Sequence, residues 1–328
     1  MTKLTAAPYH RDYEITDAMF GAFRGPGGAA EFWRLLLWST LLLTIFGVLV
    51  IPPIISSYIE TIRLTALSEL DPAAADQIVG NILWETVKWI GLSILYLAVF
   101  GIIRAAFFRS YFFGPDPQMI PFRLGRDELN QTLAVLGYYA LYMAVTIVAT
   151  IVLVVPMIAL MVALGVDNPA ALVLGMILLY VGLAVAVVWV LVRFCCAGSL
   201  TALRGQVHVL GSRYVTRNRF WALFGSALVA GLIGYVVFYV LMAMAVGLAF
   251  TGLGGADLFT LMAAQDPEAI LETLDGLTQT SAFRISSIFA ILIVSAGMAF
   301  YSLILAGPQG YFTRQWADAL TSMEDPQS

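Results

Sequence analysis

The sequence predicts an all-α polytopic membrane protein: six transmembrane helices arranged as three helical hairpins, with both termini in the cytoplasm. Three observations carry that reading. Hydrophobic residues make up 60% of the 328 and charged residues 12%, against roughly 45–50% and about 25% in soluble globular chains. Mean hydropathy is +0.88. So few charges cannot cover a soluble protein of this size, which excludes a soluble enzyme or a secreted domain. With only two cysteines, a disulfide scaffold is excluded as well. The second observation is a set of six runs free of Asp, Glu, Lys, Arg and His: 35–59, 89–103, 129–166, 168–192, 220–256 and 285–313. The third is the placing of the basic residues between them.

Taken in order, five of the six runs hold 25 residues or more, enough for a helix that needs about 20 apolar residues to cross roughly 30 Å of hydrocarbon. The second run is short. It spans only if Lys88 or Arg104 lies at an interface and extends its charge into the headgroups. Trp84 and Trp89 beside Lys88 resemble an aromatic belt and favour this. The third and fifth runs are too long for one straight crossing, so a kink is expected at Pro156 and an end at Gly252, Gly254 and Gly255. The runs are continuous rather than alternating, which excludes β-barrel strands. Some thirty mixed residues precede the first run, so a cleaved signal peptide is not expected.

With six spans, segments 1–34, 104–128, 193–219 and 314–328 share one side. They hold 14 of the 17 Lys and Arg residues, while Arg63, Lys88 and Arg284 hold the other side. Acidic residues divide almost evenly, 10 and 11. The modest net charge of −4 therefore hides a face at +4 and a face at −8. Lys and Arg accumulate in cytoplasmic loops, which places both termini there. The chain reads as a single membrane domain. A cytoplasmic amphipathic segment (1–31) leads into hairpin one and its following loop (32–128), hairpin two and its loop (129–219), hairpin three (220–313) and a cytoplasmic tail (314–328).

The odd-numbered spans open alike: Glu31-Phe32-Trp33-Arg34, Asp127-Glu128-Leu129 and Arg219-Phe220-Trp221. Before each lies a short mixed segment, 14–24, 116–126 or 206–217, ending on Arg24, Arg126 or Arg217. Ile15, Met19, Ala22 and Phe23 fall at helical spacing in the first, and Val207, Leu210 and Tyr214 in the third. These features predict an internal triplication of a surface-lying amphipathic segment and a helical hairpin. Near-equal spacing of six short-looped spans is the alternative. The outer loops differ: 60–84 and 257–283 are long and acidic, with Asp71-Pro72 and Asp266-Pro267 opening short helices, and Val166-Asp167-Asn168-Pro169 is a tight turn.

Chemistry-bearing residues are scarce. His10 and His208 lack a second ligand at metal-binding spacing, and Cys195 and Cys196 read as small packing residues. No phosphate loop or nucleophile elbow occurs. No cofactor or metal is expected. Glu85 and Lys88, at i, i+3, form either a functional buried pair or an interfacial one, and Glu85 is the sole start for an intramembrane enzyme. Span three carries Tyr138, Tyr142, Thr146 and Thr150 at i, i+4 spacing. Span five carries Tyr235 and Tyr239, with Ser226, Ala230 and Gly234 as a small-residue series. Such residues line a cavity for a lipid or amphiphile, or bond and pack between helices. Arg204, Arg213, Arg217 and Arg219 cluster at the inner interface, where each basic residue attracts anionic headgroups by about 1 kcal/mol. The same residues satisfy the positive-inside rule with no specific ligand. Nucleic acid is not an expected partner of so acidic a chain.

The run Gly211-Ser212-Arg213-Tyr214-Val215-Thr216-Arg217-Asn218-Arg219-Phe220-Trp221-Ala222-Leu223-Phe224-Gly225 resembles a bacterial six-span family. That family is related to the membrane domain preceding some glycerophosphodiester phosphodiesterases, and it includes stand-alone members. Pro121-Phe122-Arg123-Leu124-Gly125-Arg126-Asp127-Glu128-Leu129 is similar to its alphaproteobacterial members. The resemblance implies a location in the bacterial cytoplasmic (inner) membrane and no enzyme, because the phosphodiesterase domain has no counterpart here. The expected function is a multi-pass, non-enzymatic protein that organises or handles lipids, or an accessory subunit. Its partners are membrane lipids and a membrane protein or a second copy. A facilitative transporter for an uncharged or amphiphilic solute is the alternative, and an intramembrane enzyme the third.

Overall fold

A computed structural model describes residues 15–68, 74–164, 169–252 and 280–324. It is helical throughout, and no strand occurs among the described residues. A short helix α1 (Ile15–Met19) and a 3-10 turn (Gly21–Phe23) precede α2 (Gly28–Ser68) and α3 (Ala74–Phe113). Then come α4 (Arg126–Leu164), α5 (Pro169–Phe194), α6 (Ala197–Arg204), α7 (Ser212–Thr216), α8 (Phe220–Gly252) and α9 (Ser281–Glu324). Six stretches are long and apolar enough to cross a membrane: Gly28–Ile51, Leu83–Phe113, Arg126–Ala163, Val173–Arg204, Phe220–Ala249 and Ser281–Leu320. The chain is a multi-pass membrane protein.

The long helices pack in a chain of neighbours, α5 on α4, α4 on α3, α3 on α2, α2 on α9 and α9 on α8. The α8–α9 contact is the most extensive, and α5 barely meets α8. Lipid is as apolar as Leu, so helices hold together where small residues let backbones close up and polar groups bond. Ser226, Ala230 and Gly234 of α8 are buried, the last against Tyr301 and Ile304 of α9. Large apolar residues face outward instead. None of the most apolar stretch of α4 is buried, against 33% in α3 and in α9.

The packed core lies at the basic end. One cluster joins Phe32, Ile103, Phe107, Phe108, Leu303 and Ile304, and a second joins Leu200, Val215, Leu223, Phe312 and Trp316. α6 turns inward after Cys195–Cys196 and fills the space between α3, α4 and α9. There Ser199 Oγ and Thr313 Oγ1 share a hydrogen bond of 2.6 Å. α1 lies under α8 and α9 with Ala18 fully buried.

Several expectations change in detail. α4 runs on through Pro156 as one helix, and α9 runs through Pro308 to Glu324, so the expected tail begins as a continuation of the sixth span's helix. The segment 206–217 is helical only over Ser212–Thr216, because Gly205, at φ 67°, closes α6 in a left-handed turn. The segment 116–126 is helical only at its last residue, where α4 begins; its two prolines, Pro117 and Pro121, remove backbone donors a helix needs. Residues 60–68 continue α2 and 74–84 belong to α3. Asp71-Pro72, Val166–Asn168, residues 257–279 with Asp266-Pro267, and His10 lie outside the described residues. α8 ends at Gly252, and Gly254 and Gly255 also lie outside them.

Candidate functional site at the basic end

The four clustered arginines separate by environment. Arg204, at the end of α6, lies over the Trp316 ring at 5.6 Å. Arg213 and Arg217 are exposed. The Arg213 guanidinium sits 4.9 Å from the Tyr214 ring and donates to its hydroxyl at 2.9 Å. Arg219 is only 6% exposed and belongs to the interior. α7 holds this geometry by bonding the end of α5: Ser212 Oγ and Thr216 Oγ1 both donate to the Arg193 carbonyl, at 3.2 and 3.1 Å. Asn218, at φ 65°, then turns the chain into α8, where Trp221 is exposed one residue into the helix.

A second charged group was not singled out in the sequence. Glu31 takes a two-pronged bond from Arg34 of 2.8 and 2.7 Å, and a third from Ser110 Oγ at 2.9 Å. Arg109 Nη1 meets Glu128 at 2.6 Å, its Nη2 donates to the Pro121 carbonyl at 2.6 Å, and its Nε stands 3.6 Å from Asp116. Arg123 spans both oxygens of Asp116 at 2.7 Å. Burial pushes the Asp116 carboxyl up. The Gln118 amide and the Arg123 and Arg109 guanidinium groups outweigh that and hold it below its usual value.

Beside this group, Arg109, Asn130, Gln131 and Thr201 border a cavity of about 50 Å³. Gln131 is 1% exposed, and neither amide atom has a protein partner. The space exceeds the 10–15 Å³ that one water needs. Gln131→Met, which keeps length and removes both polar atoms, is therefore expected to lose water-mediated bonds and cost about 1 kcal/mol in thermal unfolding. A gain in stability would show the amide to be dry.

The Tyr and Thr residues divide into two places. Tyr138, Tyr142, Thr146 and Thr150 are half-buried on α4; Thr150 Oγ1 bonds the Thr146 carbonyl of its own helix at 2.8 Å, and Thr146 Oγ1 is buried without a partner. Tyr235 and Tyr239 are each 51% exposed on α8, their rings 4.2 Å apart. α4 and α8 do not pack together, so the structure does not join the two sets. Arg104 lies near enough to Tyr138 and Cys195 to act on both electrostatically. Glu85 and Lys88 form a half-exposed pair at 2.5 Å, with Lys88 over Trp84 at 5.9 Å.

Cys195 and Cys196 are free thiols, and the backbone N–H of His208 donates to Thr201 Oγ1 at 3.1 Å. Among the described residues no three His, Cys, Asp or Glu side chains gather as metal ligands. No family model, curated protein or solved structure matches the chain.

Proposed function

We propose that this chain is a non-enzymatic inner-membrane protein that organises or handles anionic lipids, working alone, as a second copy's partner, or as an accessory subunit. Arg213 and Arg217 are the direct headgroup contacts in this reading, while Arg204 and Arg219 brace the corner that presents them. The observation that carries it is the pairing of two exposed guanidinium groups with exposed Trp221 on a corner fixed by three side chain–backbone bonds. An exposed cation beside an interfacial Trp suits a phosphate at headgroup depth. The run resembling the six-span family covers this corner.

Both termini are assigned to the cytoplasm on the 14-to-3 division of basic residues. Three repeated hairpins gain support from the short helices before α2 and α8, and less from the non-helical stretch before α4. One observation favours the facilitative-transport reading, the partnerless Thr146 hydroxyl. The filling of the basic end by α6 favours the lipid reading over it.

The test is retention of phosphatidylglycerol by the purified protein in native mass spectrometry. Arg213→Ala/Arg217→Ala is expected to weaken it by about 2 kcal/mol at low salt, at about 1 kcal/mol per cation. Unchanged retention would remove the assignment of these arginines.

A further inference from the structure

The geometry points to a lipid-inserted wedge in the loop between α3 and α4, formed by Met119, Ile120 and Leu124 and occupied by the leaflet at the basic end. This rests on the membrane-spanning architecture and not on the Arg213–Arg217 reading. The loop does not hang free of the bundle. Arg34, six residues into α2 and about 9 Å along it, donates to the carbonyls of Asp116 and Gln118 at 3.0 and 2.8 Å. Arg109, four residues before the end of α3, donates to the Pro121 carbonyl. The chain leaving Phe113 has therefore folded back along the helices, level with Trp33, which is exposed as interfacial aromatics are.

At that depth the loop presents Met119 at 80%, Ile120 at 50% and Leu124 at 93% exposure. Three apolar side chains so exposed in water would be a liability, and in the headgroup–acyl boundary they are an anchor of about 5–10 Å penetration. The backbone is suited to scarce water. Pro115, Pro117 and Pro121 carry no N–H, and three of the carbonyls are bonded by Arg34 and Arg109. Charge agrees as well. The loop's one carboxylate, Asp116, is matched by Arg123, and Arg126 stands exposed at the start of α4 toward the phosphates.

The test labels Ile120→Cys and Leu124→Cys with a nitrobenzoxadiazole fluorophore in a Cys195→Ala/Cys196→Ala background. The protein is reconstituted in phosphatidylcholine–phosphatidylglycerol vesicles. Quenching by lipids spin-labelled near the headgroup is expected, with iodide quenching severalfold weaker than at Asp318→Cys, an exposed site late in α9. Iodide quenching equal to that at Asp318 would overturn the wedge. Protection from both quenchers would overturn it too, by showing that a protein covers the loop. Adding Asp116→Asn is expected to return the label toward iodide, and no change would overturn the role of the charge group in holding the loop. Cys196 is buried, so the background variant is backed by the native chain. Radical oxidation of Met119 in the same vesicles should be severalfold slower than in the denatured chain, and an equal rate would overturn the inference.

Discussion

Gly307→Ala is expected to destabilise the bundle by about 2 kcal/mol, although alanine is the better helix former. On propensity alone the change should stabilise α9 by about 0.5–1 kcal/mol. Packing reverses the sign. A methyl at 307 would lie 2.5 Å from the Ala22 backbone nitrogen, 3.0 Å from its Cβ and 3.1 Å from its Cα. A methyl at Gly21 would in turn lie 2.8 Å from the Gly307 carbonyl oxygen. The contact is backbone on backbone, and no flexible side chain is available to swing away. The 3-10 turn cannot retreat either, because the Phe23 ring packs tilted against that of Phe32, centroids 4.2 Å apart, and Ala22 is buried in the first core cluster. Overpacking of this kind costs about 1–3 kcal/mol, and the upper end applies where backbone must move. Gly247→Ala in α8 is the control. Nothing lies within 4 Å of its added methyl, so propensity alone should act and stability should rise slightly. Thermal unfolding in detergent with ligand-free protein reads both. A Gly307→Ala variant as stable as the native chain would show that the turn does not seat on α9.

The close approach at Gly307 illustrates what the sequence conveyed and what it did not. Six charge-free runs sufficed for six spans, since crossing hydrocarbon requires length and apolarity and little else. Ser226, Ala230 and Gly234 were legible as a packing series because small residues at i, i+4 have few other uses in lipid. Neighbour choice was not legible. A Leu or Val facing lipid is indistinguishable in sequence from one facing a helix, so nothing indicated that α9 would pack against both α8 and α2. The late turns of α9 carried a readable signal in Phe312, Trp316 and Ala319, which repeat at helical spacing, but the charges from Arg314 onward ended the charge-free run and suggested a tail. A proline inside a membrane helix is tolerated where neighbours re-satisfy the backbone. Among candidate site residues, the clustered arginines were found by their proximity in sequence. Arg109 and Asp116 were counted only as charges, and Glu31 and Glu128 only as parts of span openings, because their partnerships join residues as far apart as 82 positions, as Arg34 and Asp116 are.

Those partnerships set the second large effect. Arg109→Met is expected to cost about 3 kcal/mol, more than any single exposed ion pair could. The Glu128 side chain is only 5% exposed and that of Arg109 17%. Removing the guanidinium leaves one carboxylate in a nearly dry site and loosens a second at Asp116, while methionine conserves the length of the stem. Breaking a buried pair costs about 3–5 kcal/mol, chiefly because the surviving charge has nowhere to go. Arg109→Met/Glu128→Gln should therefore recover most of the loss, a coupling that independent sites would not show. Acidity gives the same argument a direction. The Asp116 carboxyl is held below its usual value, so its contribution is fully present above the unfolded value and is lost as pH falls through the lower folded one. In Arg109→Met that depression is reduced, and protonating the stranded carboxylates relieves the penalty. The gap between native and variant should narrow as pH is lowered from 7 toward about 4, the ordinary carboxylate range. Unfolding midpoints measured across that range would refute the network if the gap widened or stayed constant, since only an uncharged packing role for Arg109 is indifferent to the protonation of its neighbours.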